Sequence, residues 1–308
     1  MSSNSYTTTD LVSNVQLIAH IPLSNATFNS SEIITLADRE LKTAVMAQIT
    51  SCREGYYLTY RDYSTNATGQ YVIPSDCIGG ALSAIQLVIG GVSILPINRL
   101  EQSEQFSTQA PATTTYGYFI AGNTVNVLPV PTTGVVRMWY LRRPNTLVAT
   151  SAAGSISAIA STTVTVDSLP STFHVGTTVN LCQDQPNFDV LAAPTITGIS
   201  GLNVTLDAVP ATLSVGDWLC LDNQTPVPMI PVEFRPLLEQ RVAVKIYELQ
   251  GYLEKMKAAG EMLMQMEKQL FELINPRVQT QTKIINPQNG GFTKANSRNN
   301  TLYWSTRD

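Results

Sequence analysis

Side chains able to do chemistry are few and scattered along this 308-residue chain. Its only histidines are His20 and His174, and His174 lies in a duplicated stretch whose matching position is Ser214, which argues against a metal ligand or a general base. Asp167 and Asp207 look like an acid pair. Each, however, stands three residues before a proline (Pro170, Pro210) and is expected to tie a turn. Asp184 and Asp189 in CQDQPNFD offer too few oxygens at that spacing to hold calcium. Gly79-Gly80 and Gly90-Gly91 lack the lysine of a phosphate cradle, and there is no Gly-x-Ser-x-Gly or His-Glu-x-x-His. Cys52, Cys77, Cys182 and Cys220 show no Cys-x-x-Cys spacing and no signal peptide precedes them, so free thiols are expected. The expectation is therefore a protein that is not an enzyme, with no catalytic residue, no cofactor and no metal. Carboxylates brought together only by folding, as in an uncharacterised hydrolase, remain an open alternative.

What the chain has instead is an apolar stripe. From Pro231 to Asn275, Leu238, Val242, Ile246, Leu249, Leu253, Met256, Gly260, Leu263, Met266, Leu270 and Leu273 follow in steps of three and four, with a mean of 3.5. Some forty residues of helix make a rod of roughly 60 Å. Pro231 and Pro236 suit a helix entrance and Asn275-Pro276 a stop, while Gly251 and Gly260 are weak points or sites of close approach. A large core helix is one reading. The favoured reading is a helix that packs between subunits through Leu249, Leu253, Met256, Leu263 and Met266. Its polar face is well populated, and no other segment is long enough to cover it.

Composition agrees with an assembly role better than with nucleic-acid binding. Charged residues are 14% of the chain, below the usual quarter, and the net charge is −4, without the basic stripe of a nucleic-acid binder. Residues 1–275 carry 14 basic and 22 acidic groups, residues 276–308 carry 5 and 1. The basic tail also holds Ile284, Ile285, Phe292, Tyr303 and Trp304. A floppy tail normally lacks aromatics, so an arm that orders on a partner is expected, with Tyr303 and Trp304 as anchors. No apolar run approaches the roughly twenty residues of a membrane helix, and no membrane association is expected.

Five regions follow from the patterning: an N-terminal arm and helices at 1–55, a first β-rich insertion at 56–150, a duplicated β module at 151–225, the long helix at 226–275, and an extended arm at 276–308. In the first, Asp10 is expected to cap a short helix ended by Pro22, and Ser30 or Ser31 a second helix running to about Cys52. YYLTYRDYS and QYVIP, separated by Asn66-Ala-Thr-Gly69, read as a hairpin, and GYFIAGNTVNVLPVP as another with its turn at Ala121-Gly-Asn123. ALSAIQLVI is strand or short helix, Arg99 to Gln105 one helical turn, and VVRMWYLR a strand beside the second hairpin. Residues 155–182 align without a gap on 195–222, forty residues on, matching Val164 to Val204, Asp167 to Asp207, Pro170 to Pro210 and Gly176 to Gly216. Two such units can bury their apolar faces only against each other, which predicts a small closed β-barrel or sandwich with pseudo-twofold symmetry. The fold class is α+β: a helical base with one very long C-terminal helix, a large β insertion and an extended C-terminal arm.

In layout the chain resembles the head-to-tail connector, or adaptor, proteins of tailed bacteriophages. The likeness rests on TTTDLVSNVQLIAHIPLSNATFNSSEIITLADRELKTAVMAQI, on the stretch 233–275, and on the tail to Trp304. The resemblance implies a virion protein at the head–tail junction, made in the host cytoplasm and forming a homo-oligomeric ring of twelve copies. It further implies contacts with the portal protein and with tail or further connector proteins, and DNA passing through without sequence-specific binding. An acidic lining would let DNA slide, where a basic one would hold it. The alternative is a carbohydrate- or receptor-binding virion protein using the duplicated β module, for which Phe173, Phe188 and Trp218 are the aromatics on hand.

Overall fold

The computed structural model describes residues 6–21, 28–100, 116–183 and 190–274. Contacts divide the chain into a unit of residues 1–270 and a second of 271–308, and of the second only Phe271 to Ile274 are described. The fold is α+β, with helices from both ends of the chain and strands between them.

Helix α1 (Thr8–Ile18) opens on a capping box: Thr7 is the cap, and Asp10, expected as the cap itself, reaches back to the Thr7 backbone from the third helical position. Asn29 rather than Ser30 or Ser31 caps α2 (Ser30–Glu40), its Oδ1 accepting from the Ser31 and Glu32 N–H groups. One side-chain oxygen then serves two of the orphan donors of the first turn. The helix continues through a π turn (Leu41–Val45) into α3 (Met46–Cys52). Its apolar stripe packs with α1 onto α4 (Arg235–Gln250), where Leu11, Val15, Ile33, Leu41, Leu238, Val242 and Ile246 are fully buried.

The expected rod of 231–275 is not formed. The helix stops at Gly251, whose φ of +74° is left-handed, and restarts as α5 (Leu253–Ile274). The N–H of Gly251 bonds to Glu248 O at 3.2 Å and that of Tyr252 to Tyr247 O at 3.0 Å, closing the end as a glycine-led C-cap does. From there the chain doubles back. Gln240 Nε2 donates to Ala259 O at 3.0 Å, Arg241 reaches Glu267 at 3.0 Å, and Lys255 sits over the Tyr247 ring, so α5 runs antiparallel to α4. A 3.5-residue count cannot tell one rod from two helices broken by a single left-handed residue.

Residues 58–142 make two four-stranded sheets around one apolar core. The first has the order β1 (Leu58–Ser64), β8 (Val135–Arg142), β3 (Cys77–Ile89), β4 (Ser93–Pro96). The second runs β2 (Gln70–Val72), β7 (Thr124–Leu128), β6 (Gly117–Ala121), β5 (Asn98–Arg99). Tyr71, Val125 and Val127 of one meet Leu87, Val136, Met138 and Tyr140 of the other. The hairpin expected of β1 and β2 is absent: the Asn66–Gly69 turn exists, but it carries the chain between layers, so β1 pairs with β8 and β2 with β7. Asn66 Oδ1 holds that turn by accepting from the Thr68 and Gly69 N–H groups. At Gly69 a Cβ would lie 2.8 Å from Val127 O, and φ is +67°. The β6–β7 hairpin forms with Ala121 opposite Thr124. β8 faces that hairpin across the core instead of lying beside it. ALSAIQLVI is strand, and Arg99, expected to open a helical turn, ends β5, while Glu101 to Gln105 lie outside the described residues.

The duplicated stretch gives β10 (Gly154–Ala160), β11 (Thr163–Val166), β12 (Val179–Cys182), β13 (Val190–Ala192), β14 (Ile196–Ser200), β15 (Asn203–Leu206) and β16 (Trp218–Leu221), ordered β13-β12-β16-β10-β11-β15-β14. Antiparallel pairing sets Val164 opposite Val204 and Asn180 opposite Cys220, each a residue facing its own equivalent. Such a register places a pseudo-twofold axis through both pairs. Hydrogen bonds repeat accordingly: Asp167 Oδ1 accepts from Ser155 N–H at 2.8 Å and Asp207 Oδ1 from Thr195 N–H at 2.9 Å. The described strands do not form the expected closed barrel and hydrogen-bond in a single order. β13 pairs with β12, and β14 is linked to the segment before β12 by the Thr178–Thr195 bridge and by Ile196 N–H to Thr177 O and Gly176 N–H to Ile196 O. The result is one open sheet wrapped around its own core of Ile156, Val164, Leu181, Ile196, Val204 and Leu219.

Entry and exit of this sheet lie side by side, β9 (Thr146–Leu147) pairing in parallel with β17 (Gln224–Thr225). Asn145 Nδ2 donates to Asn180 Oδ1 at 2.9 Å and Asn180 Nδ2 to Asp222 Oδ1 at 3.0 Å, in surroundings where an unpaired amide is costly. Leu147 N–H to Asp38 Oδ1 and Thr8 Oγ1 to Val148 O fasten the junction to α2 and α1.

Two substitutions test the helical turn-back. With no atom within 4 Å of a Cβ at Gly251, its φ of +74° is the only obstacle to a side chain. Gly251→Ala should cost about 1 kcal/mol in urea unfolding and Gly251→Asn less. Arg241→Ala leaves the buried Glu40 without its cation, at a cost of about 2 kcal/mol, and should raise amide exchange across 253–270 more than across 236–248. Equal exchange in the two helices would show that Arg241 does not hold α5.

Candidate assembly interface

Among the described residues no three His, Cys, Asp or Glu side chains gather as a metal site requires. His20 and His174 are both exposed, and the Asp167 and Asp207 carboxylates are engaged in the turn bonds described above. Asp184 and Asp189 lie outside the described residues. Cys52, Cys77, Cys182 and Cys220 are free thiols; burial raises the pKa of Cys77 and Cys220, keeping both as unreactive thiol. Of the aromatics of the duplicated module, Phe173 is buried and Trp218 half-buried, while Phe188 lies outside the described residues. On the outer face of the first sheet, Arg137 is bound twice by Asp62 at 2.7 Å and covers the Tyr60 ring at 4.0 Å, a ladder that satisfies itself.

Among the described residues the least covered α-helix is α5. Its neighbour α4 buries eight side chains, from Leu237 to Tyr247, whereas α5 buries none over 22 residues. Placed 100° apart, its apolar side chains span an arc of roughly 200°. The middle of that arc, Met256, Gly260, Leu263 and Leu270, is half-buried. Both flanks are bare: Leu253 (70% exposed), Met264 (71%) and Phe271 on one side, Met262 and Leu273 on the other. Leu249 and Tyr252 extend the bare surface around the turn.

Of the residues expected at an interface, Leu249 and Leu253 are thus exposed, and Met256, Leu263 and Met266 half-buried. Ile284, Ile285, Phe292, Tyr303 and Trp304 lie outside the described residues. Sequence reasoning missed Tyr252, Met262, Met264 and Phe271 because it drew a single 3.5-residue stripe. The signal was present in EMLMQM, where alternate residues are methionine and therefore cannot share one narrow face.

Arg241 sets how α5 lies. Its guanidinium contacts Glu40 of α2 at 3.3 Å and Glu267 of α5 at 3.0 Å, joining three helices through one side chain. The entry to α4 is fixed in the same manner. Tyr6 donates to the buried Glu239 at 2.5 Å, Asn14 donates to the same oxygen at 3.0 Å, and Arg235 stacks on the Tyr6 ring. Burial and the Glu239 carboxylate together push the Tyr6 phenol well above its ordinary range, so it remains a donor.

No described helix is long and apolar enough to cross a membrane. No curated protein matches the chain. A family model described as SU10 adaptor protein matches residues 8–187, which takes in α1 to α3, the paired sheets and the first repeat of the duplicated module. That match spans more than half of the sequence and makes the chain a member of the SU10 adaptor protein family, structural adaptors of phage.

Proposed function

We propose that the protein is one subunit of a connector ring between the portal and the tail, assembled through α5 and locked by residues 276–308. The observation that carries this reading is a long helix with a wide apolar arc and no buried residue, in a protein whose family is structural. Fully burying one large apolar side chain contributes about 1.5–3 kcal/mol. Leu249, Leu253, Met262, Met264, Phe271 and Leu273 together are therefore enough to drive a subunit contact. In this reading the copies number twelve, as in the connectors the chain resembles, and DNA crosses the ring without sequence-specific contact. The basic arm, with Tyr303 and Trp304 near its end, engages the portal. Among the described residues of the duplicated sheet, the burial of Phe173 and the half-burial of Trp218 do not favour a glycan site.

Native mass spectrometry of the purified protein, alone and with portal, tests the assembly. The expected result is a closed homo-oligomer, formed alone or on the portal, and a monomer that ignores portal overturns the proposal. The double variant Leu253→Glu/Met264→Glu should unfold within about 0.5 kcal/mol of wild type, since both side chains face solvent, yet fail to oligomerise. Removal of residues 276–308 should leave a folded subunit that no longer joins portal-containing heads, and normal sealing by that truncated subunit would refute the clamp.

A further inference from the structure

The net negative charge of this protein comes mostly from one stretch. Residues 151–225 contain six aspartates and no lysine or arginine, a formal charge of −6. Residues 276–308 carry Arg277, Lys283, Lys294, Arg298 and Arg307 against Asp308, a charge of +4, leaving only −2 for the rest of a chain whose total is −4. The net acidity of residues 1–275 thus comes mostly from residues 151–225. Asp217 is buried, and Asp167, Asp207 and Asp222 are exposed. Within residues 151–225 there is no lysine or arginine to neutralise them.

Pseudo-twofold symmetry arranges this charge into two matching sites. Asp167 N–H bonds to Ser155 O while Gly216 N–H bonds to Ile156 O, so the carboxylate of one repeat and Val215 of the other flank the start of β10. Asp207 N–H bonds to Thr195 O and Gly176 N–H to Ile196 O, placing Asp207 and Val175 alike around β14. Val175 and Val215 are 62% and 65% exposed. Each site offers a carboxylate whose Oδ1 is held by a backbone N–H and, across one strand, a bare β-branched side chain. The complement is an extended segment that interleaves cations with apolar groups. Residues 277–298 have that character: Arg277, then Lys283-Ile284-Ile285, then Phe292-Thr293-Lys294, then Arg298. Twenty-two residues extend to about 70 Å, ample to leave one subunit and cross the next.

We propose that residues 277–298 of one copy dock on the duplicated β sheet of a second copy, its cations on Asp167 and Asp207 and its apolar groups on Val175 and Val215. The segment beyond, with Tyr303 and Trp304, then stays available for another protein. The inference rests on the assembly reading only in requiring a second copy at hand.

The test is zero-length carbodiimide coupling of the full chain in a mixture of ordinary and nitrogen-15-labelled copies, with native mass measured on the same sample. The expected products join Lys283 or Lys294 of one isotope to Asp167, Asp207 or Asp222 of the other. Their yield should fall as salt rises from about 50 mM to about 500 mM. Arg277→Glu/Arg298→Glu keeps the coupling amines and should lower the yield about five-fold with melting unchanged. Links confined to one isotope, links only to glutamates of α4 and α5, or no links in an oligomeric sample would each overturn the docking while leaving the ring. A monomeric mass would instead remove the ring itself.

Discussion

A single left-handed residue decides how this protein divides its apolar surface. Gly251 ends α4 and sends α5 back along it, so two helices with similar sequence patterns meet different surroundings. α4 is enclosed by α1 and α2 and, like them, contributes fully buried side chains to the base. α5 touches the same body along one strip and is tied to it by Arg241 and Gln240. An isolated helix of about this length is only marginally stable in water, because most helical stability comes from tertiary packing. The body supplies part of that packing, and the apolar flanks call for the remainder from outside.

The strands serve this arrangement by returning the chain to where it left. An insertion of this size could disrupt the helical base unless its ends are held together. The β9–β17 pairing, the Asn145–Asn180–Asp222 amide network and the bonds from Thr8 and Asp38 meet that requirement. Duplication adds a second economy. Because Val164 faces Val204 and Asn180 faces Cys220, each repeat closes the core of the other and no additional layer is needed.

Much of this was legible in the residues. The forty-residue repeat, the β6–β7 hairpin and the stripe from Ile33 to Ile49 all follow local periodicity, and local periodicity survives folding. Layer assignment did not survive, because which sheet a strand joins is a matter of long-range packing. YYLTYRDYS and QYVIP are separated by a genuine turn, yet Tyr71 faces a core that only β7 can complete. Strand β13 was equally hidden: it lies in the stretch between the repeats, which the alignment does not cover. At the candidate interface, Leu249 and Leu253 were visible as members of a stripe. Met262, Met264 and Phe271 lie off that single stripe, and although EMLMQM signals a wider apolar face, their exposure follows the turn at Gly251.

Whether α5 finds its cover in neighbouring molecules is most directly read from its own methionines. Peroxide oxidation of Met262 and Met264, quantified by peptide mass against fully buried Met138 as the internal control, should be fast in the free subunit and strongly suppressed once subunits are assembled with portal-containing heads. Oxidation of both at the same rate in the free and the assembled protein would contradict the account.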